Sequence, residues 1–332
     1  MKKLKMGVLG CSGHFSRISK GLASSRLFES YGIASRNAQK AGEYAQKWGL
    51  KKSYGSYEEL LSDPDIDFVY CPLPNNLHFE YIKKSADGGK PILCEKPLTL
   101  NAKEAAQAAE YCAKKGVLLM EAFMFRFHPQ WIQAAQIIKS GELGKIMSTA
   151  GFFSYDNKDA MNIRNIAQNG GGALLDIGCY AVSAARIFMG SEPQRAAASV
   201  FYDPVFKTDI FSSAMLDFGD GRVSNFSVST QLFPWQRVRA AGTKGTMALE
   251  VPFNMRSDSP GRLLINTDLD SRTIETETAD QFLQIFDAFA LAVSEKKTEA
   301  PTPASDAIAN MAVIDSLFAS AKSGKWERVE KY

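Results

Sequence analysis

The run Ile92-Leu93-Cys94-Glu95-Lys96-Pro97 puts a carboxylate and an ammonium at the abrupt end of an apolar, strand-like stretch. The proline biases Lys96 away from helix and toward an extended or turn conformation. A lysine at the carboxyl end of a buried strand stands where open α/β sheets bind ligands, so it can touch a reactant. A second polar set interrupts an apolar segment: Gly170-Gly171-Gly172 opens Ala173-Leu174-Leu175-Asp176-Ile177-Gly178-Cys179-Tyr180. Asp176 and Tyr180 are four residues apart and share one face of a helix. A buried carboxylate one turn from a buried phenol is costly unless it is paired.

A third feature is Gly10-Cys11-Ser12-Gly13-His14-Phe15, which follows a strand and precedes a helix, the context of a dinucleotide fingerprint. Gly10 suits the tight turn, Ser12 replaces the second glycine and Phe15 takes the third position. At the end of the second strand, NAD sites carry an acid for the ribose 2′-hydroxyl. Here stand Ser35-Arg36-Asn37. A hydroxyl beside a guanidinium suits a 2′-phosphate, and one charge-assisted hydrogen bond of about 1.5–3 kcal/mol gives roughly ten- to hundredfold preference for NADP over NAD. Pro72-Leu73-Pro74-Asn75-Asn76-Leu77-His78 follows another strand. Gly10, Ser35, Pro72 and Lys96 all lie at carboxyl ends of expected parallel strands and so share one sheet edge.

The elements that must position these groups change character along the chain. Expected strands at Lys5–Leu9, Tyr31–Ala34, Phe68–Cys71, Pro91–Cys94 and Val117–Met120 alternate with helices at Ser16–Ser24, Ala38–Trp48, Tyr57–Leu61, Phe79–Ala86 and Ala102–Lys115. Such alternation implies a parallel sheet with helices on both faces. After a helix at Pro129–Ser140 the chain turns β-rich: Ile146–Tyr155, Ala196–Tyr202, Phe211–Phe218, Arg222–Gln231, Arg237–Ala241, Thr246–Val251 and Leu263–Asn266. Hairpin turns at residues 217–221 and 242–245 make this second sheet mostly antiparallel. Helices at Asp280–Ser294 and Ala304–Lys322 close the chain. The expected organisation is an α/β Rossmann domain over residues 1–122 and an α+β domain with a large open sheet over residues 123–332.

At 332 residues the chain suits two domains. A formal charge of +3 with interspersed signs gives no electrostatic footprint for nucleic acid. No run approaches the ~20 apolar residues of a membrane span. Five cysteines without metal-ligand spacing and three scattered histidines give a metal site little support and point to reduced thiols in a cytoplasmic protein.

With these residues in view, the chain resembles the Gfo/Idh/MocA oxidoreductase family, named for glucose–fructose oxidoreductase and inositol dehydrogenase. The likeness rests on the Gly10 turn, Ser35-Arg36, Tyr57-Glu58-Glu59-Leu60-Leu61, the segment from Pro74 to His78, Glu95-Lys96-Pro97, Gly171-Gly172 with Asp176-Ile177-Gly178 and Tyr180, and Gly242-Thr243-Lys244-Gly245. The segment Glu121–Pro129 resembles the branch of dihydrodiol and aldose dehydrogenases. The resemblance implies hydride transfer between NADP (or NAD) and a carbinol or carbonyl carbon of a sugar, cyclic polyol or dihydrodiol. It makes Lys96, Asp176 and Tyr180 the catalytic group. It makes Gly10, Ser12, Gly13, His14, Phe15, Ser35, Arg36, Pro72, Leu73, Asn75, His78, Glu95, Lys96 and Arg164 the cofactor-binding set. Many relatives carry histidine at position 180, which argues against an inositol dehydrogenase.

Hydride removal from a carbinol leaves a hydroxyl proton. A phenol takes it near neutral pH when an ammonium ~4 Å away, at an effective dielectric of ~20, supplies about 4 kcal/mol, lowering a pKa of about 10 to about 7 at most. Asp176 then orients Lys96 or binds a substrate hydroxyl, and either Lys96 or Tyr180 carries the proton. The rival reading is a catalytically silent NAD(P)-binding regulator or scaffold of the same fold. The abundant large apolar residues of the second sheet, Phe152, Phe153, Phe201, Phe211, Phe226 and Phe233 among them, imply a homodimer or homotetramer.

Overall fold

In the computed structural model, which describes residues 2–332, the amino-terminal strands form a six-stranded parallel sheet. Its members are β1 (Leu4–Leu9), β2 (Phe28–Ala34), β3 (Lys52–Tyr54), β4 (Phe68–Cys71), β5 (Ile92–Cys94) and β6 (Leu119–Glu121), in the order β3-β2-β1-β4-β5-β6. The order reverses between β1 and β4, the position where open α/β sheets part to admit a ligand. Every residue of β4 and β5 is buried, as the unbroken apolar runs of central parallel strands require. Strand β3 escaped the sequence reading because three residues with two polar members carry no periodicity.

The crossovers are α1 (Gly13–Leu22), α2 (Ala38–Trp48), α3 (Tyr57–Ser62), α4 (Asn75–Asp87) and α5 (Ala102–Lys115). Side chains of Ser12, Asn37, Ser56 and Asn101 accept from the amides of Phe15, Lys40, Glu59 and Glu104, which fixes where four of these helices begin. Gly49 and Gly116 end α2 and α5 in the left-handed conformation.

Beyond α6 (Pro129–Lys139) and the long strand β7 (Ile146–Asp156), the chain makes a π-helical turn at Leu174–Gly178 that runs into α7 (Cys179–Met189). Strands β8 (Arg195–Tyr202), β9 (Asp209–Gly219), β10 (Arg222–Ser229), β11 (Gln231–Gly242), β12 (Gly245–Leu249), β13 (Arg262–Thr267), β14 (Ser271–Glu275) and β15 (Glu327–Arg328) complete a nine-stranded sheet with β7. Its order is β14-β13-β12-β11-β7-β10-β9-β8-β15, antiparallel except for the parallel pair β7–β10. Asp220 and Gly221 both take positive φ in the β9–β10 hairpin, the backbone twist such two-residue turns need. On the face under α7, Phe153 meets Tyr180 edge to face at 5.7 Å. Of the six phenylalanines named for the second sheet, Phe153 and Phe226 are buried, whereas Phe201 and Phe233 are 61% and 86% exposed.

The chain separates into two compact units, residues up to Met124 with Phe282–Ile308, and Phe125–Gln281 with Ala309–Tyr332. The return of α8 (Gln281–Ser294) to the first unit was not foreseen. Its Phe286 lies 4.8 Å from the Tyr70 ring and its Phe289 5.8 Å from Phe68, so it buries the first sheet. An apolar helix stripe does not say which sheet it will cover. The last helix, α9 (Ala304–Ser323), spans the division between the units. Contrary to the expectation that no run approaches a membrane span, Ala167–Met189 has the length and apolarity to cross one, but 94% of its apolar window is buried, as in the core helix of a globular fold.

Candidate active site

At the carboxyl edge of the first sheet, Gly10 adopts φ +108° and a Cβ there would meet Leu73 Cδ2 at 2.9 Å. Only glycine lets the chain leave β1 this way. Around Gly13 the space is open, with nothing within 4 Å of where a Cβ would stand. The first turn of α1 therefore borders room for an anion beside its amides. Phe15 corrects the sequence reading: its side chain is fully buried and its amide is satisfied by the Ser12 hydroxyl at 3.0 Å, so it builds the turn from below. Ser35 accepts from the Asn37 amide at 3.2 Å, and the exposed Arg36 reaches the Tyr57 phenol. Burial raises the Tyr57 pKa, and Arg36 opposes it. Lys40 was not foreseen; its charge acts on Cys11, whose thiol burial pushes up and Lys40 draws down. Its position three residues after the cap Asn37 was the available signal.

The turn after β5 is held from below. Tyr70 donates to Glu95 Oε1 at 2.7 Å, and His14 Nε2 stands 3.4 Å from the same oxygen. Burial opposes the charge on Glu95, yet His14, Tyr70 and Lys96 together outweigh it and lower its pKa to about 2. The Lys96-Pro97 peptide is cis. The Leu98 amide donates to buried Glu121 at 2.7 Å, anchoring the far side of the turn. His78 departs from its expected role at the cofactor. It is fully buried, with Nδ1 2.9 Å from Pro97 O and Nε2 2.9 Å from Leu73 O, and so ties two loops together. Cys71, His78 and Cys94 bring potential ligand atoms within 4.8 Å of one another, but both ring nitrogens already face carbonyl oxygens.

In the second unit, Gly171 packs so tightly that a Cβ would lie 2.3 Å from Arg164 O, and the Gly172 amide donates to that oxygen at 2.9 Å. The glycines thereby fix the Ile163-Arg164-Asn165 turn. Arg164 Nε donates to Asp176 Oδ2 at 3.0 Å, and Tyr155 from β7 donates to the same atom at 2.6 Å. Asp176 is 8% exposed, so its charge is paired rather than solvated. Burial first, then Asp176, drives the Tyr155 pKa far up and keeps it a donor. Arg164 is held charged by Asp176 against burial. Tyr180, 5% exposed, packs against Phe125, Phe153 and Phe253. The sequence reading missed Tyr155, because nothing in a strand pattern marks which alternate residue meets a helix polar group. A π-helical turn at Asp176 is itself a common mark of a functional site.

Two family models match the chain: the oxidoreductase family with NAD-binding Rossmann fold over residues 4–123, and the GFO/IDH/MocA C-terminal domain over residues 131–248. The chain belongs to the Gfo/Idh/MocA oxidoreductase family. It is 35% identical to a D-xylose 1-dehydrogenase (NADP(+)) from Haloferax volcanii over 97% of this chain and 98% of the relative. A trans-1,2-dihydrobenzene-1,2-diol dehydrogenase from Xenopus tropicalis is 32% identical over 70% and 69% of the two chains. A 3-ketoreductase from Actinomadura kijaniata, solved with NADP and TDP-benzene, superposes with a TM-score of 0.90 at 29% identity, covering 96% of this chain and 98% of that one. As a Gfo/Idh/MocA protein the chain is a hydride-transferring oxidoreductase with a dinucleotide-binding first unit. The residues present fit that cofactor: the open Gly13 at the start of α1 leaves room for a pyrophosphate, and Ser35 and Arg36 stand where the adenosine ribose would end.

Proposed function

We propose that this oxidoreductase uses NADP in preference to NAD and acts on a hydroxyl or carbonyl carbon of a sugar, a cyclic polyol or a dihydrodiol, with Lys96, Asp176 and Tyr180 as its catalytic group. The observation that carries the reading is Asp176. A nearly buried carboxylate sits in a π-helical turn, fixed by Arg164 and Tyr155, one turn before the buried phenol of Tyr180. An apolar helix gains nothing in packing from that arrangement, which costs desolvation on both groups. The bound nicotinamide supplies or takes the hydride. Lys96 or Tyr180 delivers or removes the proton at the reacting oxygen, and Arg164 orients Asp176.

Solved structures of a relative support the assignment of roles. Structures of the Actinomadura ketoreductase include one with a lysine replaced by alanine and one with a tyrosine replaced by phenylalanine. Those two positions stand as far apart along its chain as Lys96 and Tyr180 do here. For the cofactor, Ser35, Arg36 and Lys40 offer a hydroxyl and two cations with no acid at the end of β2. The exposed Phe201, Met215, Leu232, Phe233 and Trp235 of the second sheet support a homodimer or homotetramer formed through that face, and five free thiols support a cytoplasmic setting. Incubation with NADP⁺ and D-xylose, other aldoses, inositols and trans-1,2-dihydrobenzene-1,2-diol, followed by NADPH absorbance, tests the reading. Turnover of one class is expected; tight NADP⁺ binding with no turnover of any would overturn it.

A further inference from the structure

The start of the Asp176–Tyr180 segment is held by a residue that sequence reading never singled out. Asp209, the first residue of β9, is 2% exposed. Its Oδ2 accepts from the Leu174 amide at 2.7 Å and from the Ser212 hydroxyl at 3.2 Å, and the Ala173 amide also donates to the carboxylate. Gly172 adopts φ +121°, and a Cβ on it would lie 1.9 Å from Asp209 Oδ1. The carboxylate occupies the space that any side chain at position 172 would need. The adjacent glycine holds the Arg164 turn, so one three-residue stretch couples Asp209 on one side to Arg164 on the other.

We propose that Asp209 is a positioning residue for the reaction: its buried carboxylate anchors the first amides of the π-helical turn and so sets where Asp176 and Tyr180 stand. The proposal rests on the catalytic reading of those two residues. A carboxylate at the exposed amides of a helix start is favourable through both hydrogen bonding and the helix dipole. The π-helical turn gives its backbone a different spacing from the α-helix that follows, so a fixed start is what keeps that turn from relaxing.

The groups facing Asp209 are the phenols of Tyr155 on β7 and Tyr202 on β8, Ser212 on its own strand, and the amides of Ala173 and Leu174. These are dipoles and neutral phenols, and burial dominates them: the Asp209 pKa is raised to about 6. The anion can accept from every donor around it, whereas the protonated carboxyl presents an O–H to the same donors. An acid limb in activity at pH about 6 is the expected result of protonating Asp209.

The test uses the full chain with Asp209→Asn and Asp209→Ala. Amide exchange at residues 173–176, measured without substrate, is expected to quicken about tenfold in Asp209→Ala at neutral pH, the loss of one hydrogen bond to a charged group. With NADP⁺ and D-xylose, or with trans-1,2-dihydrobenzene-1,2-diol where the sugar is not turned over, kcat is expected to fall about 10²-fold, as a small misplacement near the chemistry does. NADP⁺ affinity by calorimetry should stay within twofold. Asp209→Asn keeps one acceptor, should fold, and should lose the acid limb. Unchanged exchange in both variants would overturn the anchor. Faster exchange with unchanged kcat, or an intact acid limb in Asp209→Asn, would overturn its role in the reaction. A wild type that turns over neither substrate yet shows the exchange effect would leave the anchor standing and remove the catalytic reading of Asp176 and Tyr180 with everything built on it.

Discussion

Glu95 in the first unit, partly buried, and Asp209 in the second, fully buried, are carboxylates at the turns that present the candidate catalytic residues, yet their surroundings push them in opposite directions. Glu95 faces His14, the Tyr70 hydroxyl and Lys96, and its pKa falls to about 2. Asp209 faces amides, a hydroxyl and phenols, and its pKa rises to about 6. Burial raises both; only Glu95 has cationic partners to outweigh it. The first turn is thus held by charge pairing at neighbouring strand ends, the second by dipoles collected from distant strands.

The most damaging way to break the second arrangement is Gly172→Ala. The new Cβ both forces a positive φ on a non-glycine residue and evicts Asp209, so a loss of about 3 kcal/mol or more is expected in urea unfolding. A loss under about 1 kcal/mol would mean that Asp209 moves aside without consequence.

Breaking the first arrangement with Glu95→Gln removes the charge from its hydrogen bonds and should cost about 1.5–3 kcal/mol at neutral pH. The pH dependence sharpens the contrast, because the two signs differ. The folded pKa of Glu95 lies below its ordinary 4.5, so its contribution is complete above that value and is lost as pH falls through about 2. The folded pKa of Asp209 lies above its ordinary 3.8, so its contribution is complete below that value and is lost as pH rises through about 6. Stability followed from pH 2 to 7 should lose its acid slope in Glu95→Gln and its opposite, higher-pH slope in Asp209→Asn. A variant that leaves its own slope unchanged refutes that assignment.

The smallest expected effect concerns the first sheet edge alone. Arg36→Asp should reverse or erase a roughly ten- to hundredfold preference for NADP⁺ over NAD⁺ in calorimetric titration. Equal affinities in the parent protein would show that Arg36 and Lys40 face solvent without reading the 2′-phosphate.

This contrast also explains what the sequence made legible. In the first unit, strand ends, caps and turns follow one another within a few residues, so Gly10, Ser35, Pro72 and Lys96 could be assigned to one sheet edge from alternation alone; Asn101 and Gly116 bound α5 as expected. Phe15 and His78 turn out to be fully buried, which position in a motif does not reveal. In the second unit the glycine run, Asp176 and Tyr180 were visible, but their supports were not. Tyr155 and Asp209 lie in strands 21 and 35 or so residues away from their partners, and only the registry of a mixed sheet brings them there. The π-helical turn had no signature, and α8 could not declare which sheet it covers.

Tyr180→Phe tests the central claim most directly, in one experiment on rate and binding together. If Tyr180 exchanges the proton, kcat should fall about 10²–10⁴-fold while the NADP⁺ dissociation constant stays unchanged, because the phenol acts only in the chemical step. The variant should fold as the parent does, since it keeps the ring that packs against Phe125, Phe153 and Phe253. A folded Tyr180→Phe enzyme with near-parental turnover would contradict the account and leave Tyr180 a packing residue.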